Sequence, residues 1–166
     1  MYVEAFMRRA VAISAEALAQ PGTEPFGAVV VKDGKIVGEG INRALANLDP
    51  TSHGETEAIR DACRNLGTVD LAGCDLYTSC EPCALCVAAM MIAGIGKLYY
   101  AASMADAGNA FAELTPADRH PIDAEELQTA CGAGIHDRRL PAEQAMAEEA
   151  RAILQQWAAG RRSATG

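Results

Sequence analysis

The chain has 166 residues, half of them hydrophobic and 22% charged, which suits one globular domain and excludes a disordered chain. Its net charge of −8 disfavours a nucleic-acid partner, because an acidic surface repels phosphate unless a local basic patch overrides it. No apolar run reaches the roughly 20 residues needed to cross a bilayer, so no membrane-spanning helix is expected.

The opening segment, MYVEAFMRRAVAISAEAL, repeats Val3, Phe6, Met7, Ala10, Val11, Ala17 and Leu18 at the spacing of one helical face and closes at Pro21-Gly22. It lacks the basic start and continuous apolar block of a secretory signal, so a cytoplasmic location is expected. FGAVVV (26–31) and KIVGEGI (35–41) flank Lys32-Asp33-Gly34 and predict an antiparallel hairpin, since Asp-Gly is a strong turn signal. After a polar loop over 42–52, Ala58, Ile59, Ala62, Cys63 and Leu66 mark a helix that ends before Gly67 and carries His53 and Glu55 at its start. CDLYTS (74–79) predicts a strand, Pro82 opens a helix to about Ala93, and KLYYAAS (97–103) predicts a further strand. Residues 108–141 are rich in Gly, Pro and Asp and predict loop with one short helix. PAEQAMAEEARAILQQWAAG (141–160) predicts a closing helix with Pro141 at its start and acidic residues early. The alternation implies helices packed on a mixed sheet, in a single domain over 1–166 with a helical tail from about residue 141.

Six cysteines in a reducing compartment are expected to be thiols or metal ligands rather than disulfides. Three of them fall in SCEPCALC (79–86). An iron–sulfur cluster is disfavoured, because Met90 and Met91 stand where the fourth cysteine and following proline of a ferredoxin run would fall. Pro82 separates Cys80, at the strand end, from Cys83 and Cys86, in the first helical turn. The helix dipole there favours thiolates, the form that binds zinc. Cys83 and Cys86 are therefore read as zinc ligands and Cys80 as a buried small residue. His53 is the best-placed nitrogen donor, because the starts of both helices should emerge at one edge of the sheet. His120 and His136 lie in the loop-rich region and are read as ordinary surface or packing residues.

HGE (53–55) followed by PCALC (82–86) matches the H-x-E…P-C-x-x-C signature of zinc-dependent base deaminases. The chain thus resembles the cytidine deaminase-like superfamily. Within it, PFGAVVVKDG, DPTSHGETEAIRDAC and LYTSCEPCALC look most like the guanine deaminase and bacterial nucleobase deaminase branch, with the likeness running over about residues 2–108. The resemblance implies an α/β fold, a three-layer α/β/α sandwich with a mixed five-stranded sheet, assembled as a homodimer. It implies Zn2+ as cofactor and a free nucleobase or related heterocycle as small-molecule partner.

Three protein ligands leave a fourth tetrahedral position for water, whose pKa zinc lowers to about 7. Glu55, two residues after His53, is placed by the family as the proton shuttle; a dipole-favoured first-turn glutamate or a fourth ligand are the alternatives. The resemblance also assigns substrate contacts to Asn42, Phe26 and Asp106, with turn formation, core packing and capping of a strand end as their respective alternatives. Ile92 stands where guanine deaminases often carry tryptophan, and the tyrosines, Tyr2, Tyr77, Tyr99 and Tyr100, leave the tail without one. The substrate class implied therefore extends from guanine to cytosine, isocytosine and aminotriazines. Two other readings compete: a tRNA adenosine deaminase, which shares the motif but calls for a basic surface, and a non-catalytic zinc-stabilised interaction module.

Overall fold

A computed structural model describes residues 1–116, 119, 122–135 and 137–163. Its contacts divide into two compact units, Met1–Gln128 and Thr129–Gly166. His120 and His136 lie outside the described residues.

The first unit begins with α1 (Glu4–Ala15), which tightens into a 3₁₀ turn over Glu16–Leu18. Strands β1 (Glu24–Lys32) and β2 (Lys35–Asn42) form the predicted hairpin. Its turn residues Asp33 and Gly34 both have positive φ, 49° and 72°, the geometry of a type I′ turn whose twist matches that of the strands. The loop that follows contains a short helical turn, α2 (Ala44–Asn47), started by Asn42 Oδ1 accepting from the Ala44 amide at 3.0 Å. Then come α3 (Gly54–Leu66), β3 (Cys74–Cys80), α4 (Ala84–Ala93) and β4 (Lys97–Ala102). α3 stops at Gly67, which takes the left-handed φ of 66° that ends many helices.

The strands are ordered β2-β1-β3-β4; β1 runs antiparallel to both neighbours, and β3 and β4 are parallel. Helices cover both faces. On one, Met7, Ala10 and Ile13 of α1 pack on Val29, Val31, Ile41 and Tyr77. On the other, Ala58, Ile59 and Ala62 of α3 and Met90 and Ala93 of α4 pack on Ala28, Val30 and Leu76. The three layers are those expected. Full burial of a side chain such as Leu76 contributes about 1.5–3 kcal/mol, and both faces are closed by such residues.

Four strands, not five, are found among the described residues. After β4 the chain enters α5 (Met104–Ala110) instead of pairing along the free edge of β4. Ser103 starts this helix with a capping box: its hydroxyl accepts from the Asp106 amide while the Asp106 carboxylate accepts from the Ser103 amide.

Two glycines on β2 bring α3 unusually close. A Cβ on Gly38 would meet Ala58 O at 2.4 Å, and one on Gly40 would meet Ala58 N and Gly54 O at 2.3 Å. The helix backbone thus rests directly on the strand. A second irregularity lies at the start of β1, where Glu24 pairs with Asn42 but Gly27 already pairs with Ile41. Pro25 and Phe26 are bulged out of the ladder as a result; Pro25 has no amide hydrogen to offer it.

α6 (Ala124–Gly132) is the short helix expected between residues 108 and 141. In the second unit, α7 (Ala147–Ser163) begins later than expected. Residues 141–146 are not helical, and Met146 has a left-handed φ of 55° that a continuous helix does not admit.

Candidate active site

Two helices present their starts to one place. His53 is the N-cap of α3 and Cys83 the N-cap of α4; both have extended backbones, and neither side chain caps its own helix. The donors are therefore free for other partners. Sequence spacing put Cys83 in the first helical turn, whereas the helix begins one residue later, at Ala84. The Glu81 amide is still donating to Ala102 O, which carries the extended conformation past the end of β3. Cys86 is the third residue of α4 and Glu55 the second of α3.

The loop before α3 is fixed by its own hydrogen bonds. Asp49 Oδ1 accepts from the Thr51 amide at 2.8 Å, the His53 amide donates to Thr51 O at 2.8 Å, and buried Ser52 donates to Glu57 Oε1 at 2.8 Å. His53 is thereby delivered at a set position.

His53 Nδ1 lies 3.5 Å from Cys83 Sγ and 3.4 Å from Cys86 Sγ, and the two sulfurs are 3.8 Å apart. Tetrahedral zinc, with Zn–S near 2.3 Å and Zn–N near 2.0 Å, separates such donors by about 3.5–3.8 Å. The group therefore fits zinc in both donor type and spacing. Hydrogen bonds from Cys86 and His53 hold the Cys83 thiol down to about 4, so it is a thiolate at neutral pH. The hydrogen bond with Cys83 and then burial push the Cys86 thiol up.

Cys80 stands outside this group, buried at the end of β3 with its sulfur 3.7 Å from Ser103 O. Glu55 is 5% exposed. Its Oε2 is 3.3 Å from Cys86 Sγ, and its Oε1 accepts from Thr78 Oγ1 at 3.2 Å. Burial pushes its carboxyl above the ordinary glutamate range.

These residues form the floor of a cavity of about 410 Å³. Asn42 and Phe26 line it as well. Asn42 Oδ1 accepts from the Ala44 amide, and the side-chain amide has two further donors on Nδ2. Phe26 reaches it because of the bulge in β1. Asp106 does not line it: its carboxylate serves the Ser103 cap on exposed backbone. Glu81 accepts from the Met104 amide at 2.9 Å, a loop-fixing bond of the kind expected for it. The roof brings residues that sequence reasoning missed, among them Met104, Phe111 and Arg119. Arg119 pairs with Glu24, and no local pattern announces either residue; only the capping signal Ser103-x-x-Asp106 announces the helix that begins the roof.

Residues 2–102 match the family described as the cytidine and deoxycytidylate deaminase zinc-binding region. The chain belongs to that family. It is a hydrolase acting on C–N bonds, with zinc as its cofactor. Guanine deaminase of Bacillus subtilis is 47% identical over 107 residues, 64% of this chain and 69% of that one. Its crystal structure superposes with a TM-score of 0.81 at 37% identity, covering 95% of this chain and 94% of the other, so this deaminase has the same fold. A guanine deaminase from Nitrosomonas europaea superposes with a TM-score of 0.61 at 28% identity, over 77% of this chain and 72% of that one. The tRNA-specific adenosine deaminase of Aquifex aeolicus is 41% identical over 83 residues, 50% of this chain and 55% of its own length.

Proposed function

We propose that the protein hydrolyses the exocyclic amino group of a free nucleobase or related heterocycle, guanine first among them, to a carbonyl with release of ammonia. The observation that carries this reading is a buried carboxyl group, Glu55, set against a His53/Cys83/Cys86 donor group on the floor of a base-sized cavity. Similarity to two guanine deaminases supports guanine as the leading substrate.

His53, Cys83 and Cys86 would hold the zinc, which when bound supplies the Lewis acidity that makes water a competent nucleophile near neutral pH. Glu55 accepts the proton that water gives up on adding to the amino-bearing ring carbon. It passes that proton to the adjacent ring nitrogen. The C–N bond then breaks as the amino nitrogen gains a proton through the same carboxylate, and ammonia leaves as the carbonyl forms. Burial suits Glu55 to this work, since it brings the neutral form within reach. Thr78 orients the carboxylate from β3. Asn42 Nδ2 donates to a ring carbonyl, and Phe26 provides an apolar wall against the ring face.

A homodimer is part of the proposal. It is supported by apolar residues left in solvent on α4, where Met91 is 76% and Ile92 87% exposed, and in the second unit by Ile153, Leu154 and Trp157 on α7. A cytoplasmic location is supported by six free cysteines. A second reading, adenosine deamination in tRNA, draws on the similarity to the Aquifex enzyme, but the net charge of −8 weighs against an RNA surface.

The test is ammonia release by the zinc-loaded protein from guanine, cytosine, isocytosine, an aminotriazine, cytidine, guanosine and adenosine-containing tRNA, with E55Q as the blank. Glu55-dependent release from a free base is expected. Release from tRNA alone selects the second reading, and silence on every substrate with zinc bound leaves a structural zinc module.

A further inference from the structure

We propose that Arg119 is a specificity residue: it donates to an acceptor on the ring edge farthest from the reacting amino group, with Glu24 positioning its guanidinium. This deepens, and rests on, the free-base reading above.

The cavity has a buried floor and a half-exposed rim. Asn42, Glu55, Cys80 and Cys86 are each 6% exposed or less, whereas Phe26, Phe111 and Arg119 are half-buried. A ring that delivers its amino-bearing carbon to the floor presents its opposite edge to the rim. Arg119 is the only lysine or arginine among the described residues lining the cavity.

Its side chain is unusually constrained for an arginine at a rim. Nε and Nη2 both meet Glu24 Oε2, at 3.0 and 2.9 Å. The guanidinium carbon sits 4.7 Å from the centroid of the Phe111 ring and 5.6 Å from that of Phe26, and the two rings meet edge-on at 5.9 Å. The side chains of Arg119 and Glu24 are only 21% and 15% exposed. Of the five guanidinium donors, those on Nε and Nη2 that face Glu24 are engaged, and among the described residues no partner is seen for Nη1, the group we assign to the ligand. A planar fork already held by an ion pair and two ring faces gives up little further freedom when it binds, so its hydrogen bond counts nearly in full. Phe26 joins the two roles, because the ring that walls the base also carries the guanidinium.

With the 2-amino group of guanine at the floor, the acceptor on the far edge is N7. A merely structural latch between Glu24 and Arg119 would not distinguish guanine from 7-deazaguanine, in which a CH replaces N7.

The experiment compares zinc-loaded wild-type protein with R119M, which keeps side-chain bulk, and E24Q, which releases the guanidinium. KM and kcat are measured on guanine and 7-deazaguanine, and dissociation constants of the products xanthine and 7-deazaxanthine by calorimetry. R119M is expected to raise KM for guanine roughly 10- to 100-fold with kcat within about twofold, the signature of lost uniform binding by a charge-assisted hydrogen bond. KM for 7-deazaguanine stays where it was, E24Q shows the same selectivity loss to a smaller degree, and the product affinities follow the same ratio. Should R119M lose the wild-type thermal transition, E24Q carries the comparison alone. Equal losses on both members of each pair, or no loss, overturn the proposal while leaving the deamination intact. A wild-type protein inert on every free base overturns the free-base reading and this one with it.

Discussion

Glu55 Oε2 lies 3.3 Å from the Cys86 sulfur, although the two residues belong to different helices and stand 31 positions apart. The contact places a buried carboxyl group beside the donor group without adding it to that group, which comprises His53, Cys83 and Cys86.

Replacing Glu55 with glutamine should therefore separate chemistry from metal binding. Turnover is expected to fall about 10²- to 10⁴-fold, the usual contribution of a positioned acid–base group, while zinc stays at one ion per chain. Steady-state kinetics with elemental analysis on the same preparation checks both halves. Loss of zinc together with activity would make Glu55 a ligand instead.

The three cysteines of SCEPCALC should behave unequally. C83S and C86S are expected to lose zinc, whereas C80A retains it and costs on the order of 1 kcal/mol of stability as a small buried truncation. Zinc content and chemical denaturation distinguish the cases. Stripping zinc from the wild type with a chelator should lower its thermal midpoint, since an ion bound only to the folded state stabilises it.

Gly40→Ala should be disruptive although alanine is a mild substitution elsewhere. The added methyl would meet Ala58 N and Gly54 O, main-chain atoms that no rotamer change can move. A loss of about 1–3 kcal/mol or more is expected, along with weaker zinc retention, because α3 carries His53 at its start. Gly34→Ala makes the comparison, since its Cβ meets nothing within 4 Å and only the positive φ opposes it. Urea denaturation of the two variants, with zinc analysis, tests the difference; equal retention of zinc would show that the seat of α3 does not govern the site.

Asp106 offers a pH test. Its carboxyl is held below the ordinary aspartate range, first by the Ser103 hydroxyl and then by the Ser103 amide. A folded-state pKa below the unfolded value stabilises the protein above the unfolded value of about 3.9 and loses that contribution as pH falls through the folded one. D106N should therefore lower the thermal midpoint at neutral pH, and the gap to wild type should close in acid, below the ordinary aspartate range. KM should not move, because Asp106 does not line the cavity. A raised KM with an unchanged midpoint would restore a substrate role to this residue.

What could be read from the chain was what local patterns impose. The starts of α3 and α4 were announced to within a residue, by the polar approach DPTS before one and Glu81-Pro82 before the other, although His53 and Cys83 turn out to be the caps and not residues of the first turn. The hairpin was announced by Asp33-Gly34. A local pattern can have more than one use: Ser103-x-x-Asp106 forms a capping box, so the carboxylate expected at the substrate is bonded to the start of α5. Pro141 suggested a helix start six residues before the observed one, because no sequence signal marks the left-handed turn at Met146. Arg119 and Glu24 were illegible for a different reason. They meet across 95 positions through a loop without periodicity, so only the folded chain brings them together.

The close seating of α3 on Gly38 and Gly40 gives the protein an uneven tolerance to change. Main-chain atoms, not interchangeable side chains, set where His53 and Glu55 stand, so core residues around them can drift in size without dragging the chemistry along. The described residues of the roof, such as Arg119 and Phe111, meet β1 through side chains, at Glu24 and Phe26. Redesign aimed at a new heterocycle should accordingly spend its mutations on that roof and leave the glycines of β2 alone, since the first alters what is admitted and the second would unseat the machinery that acts on it.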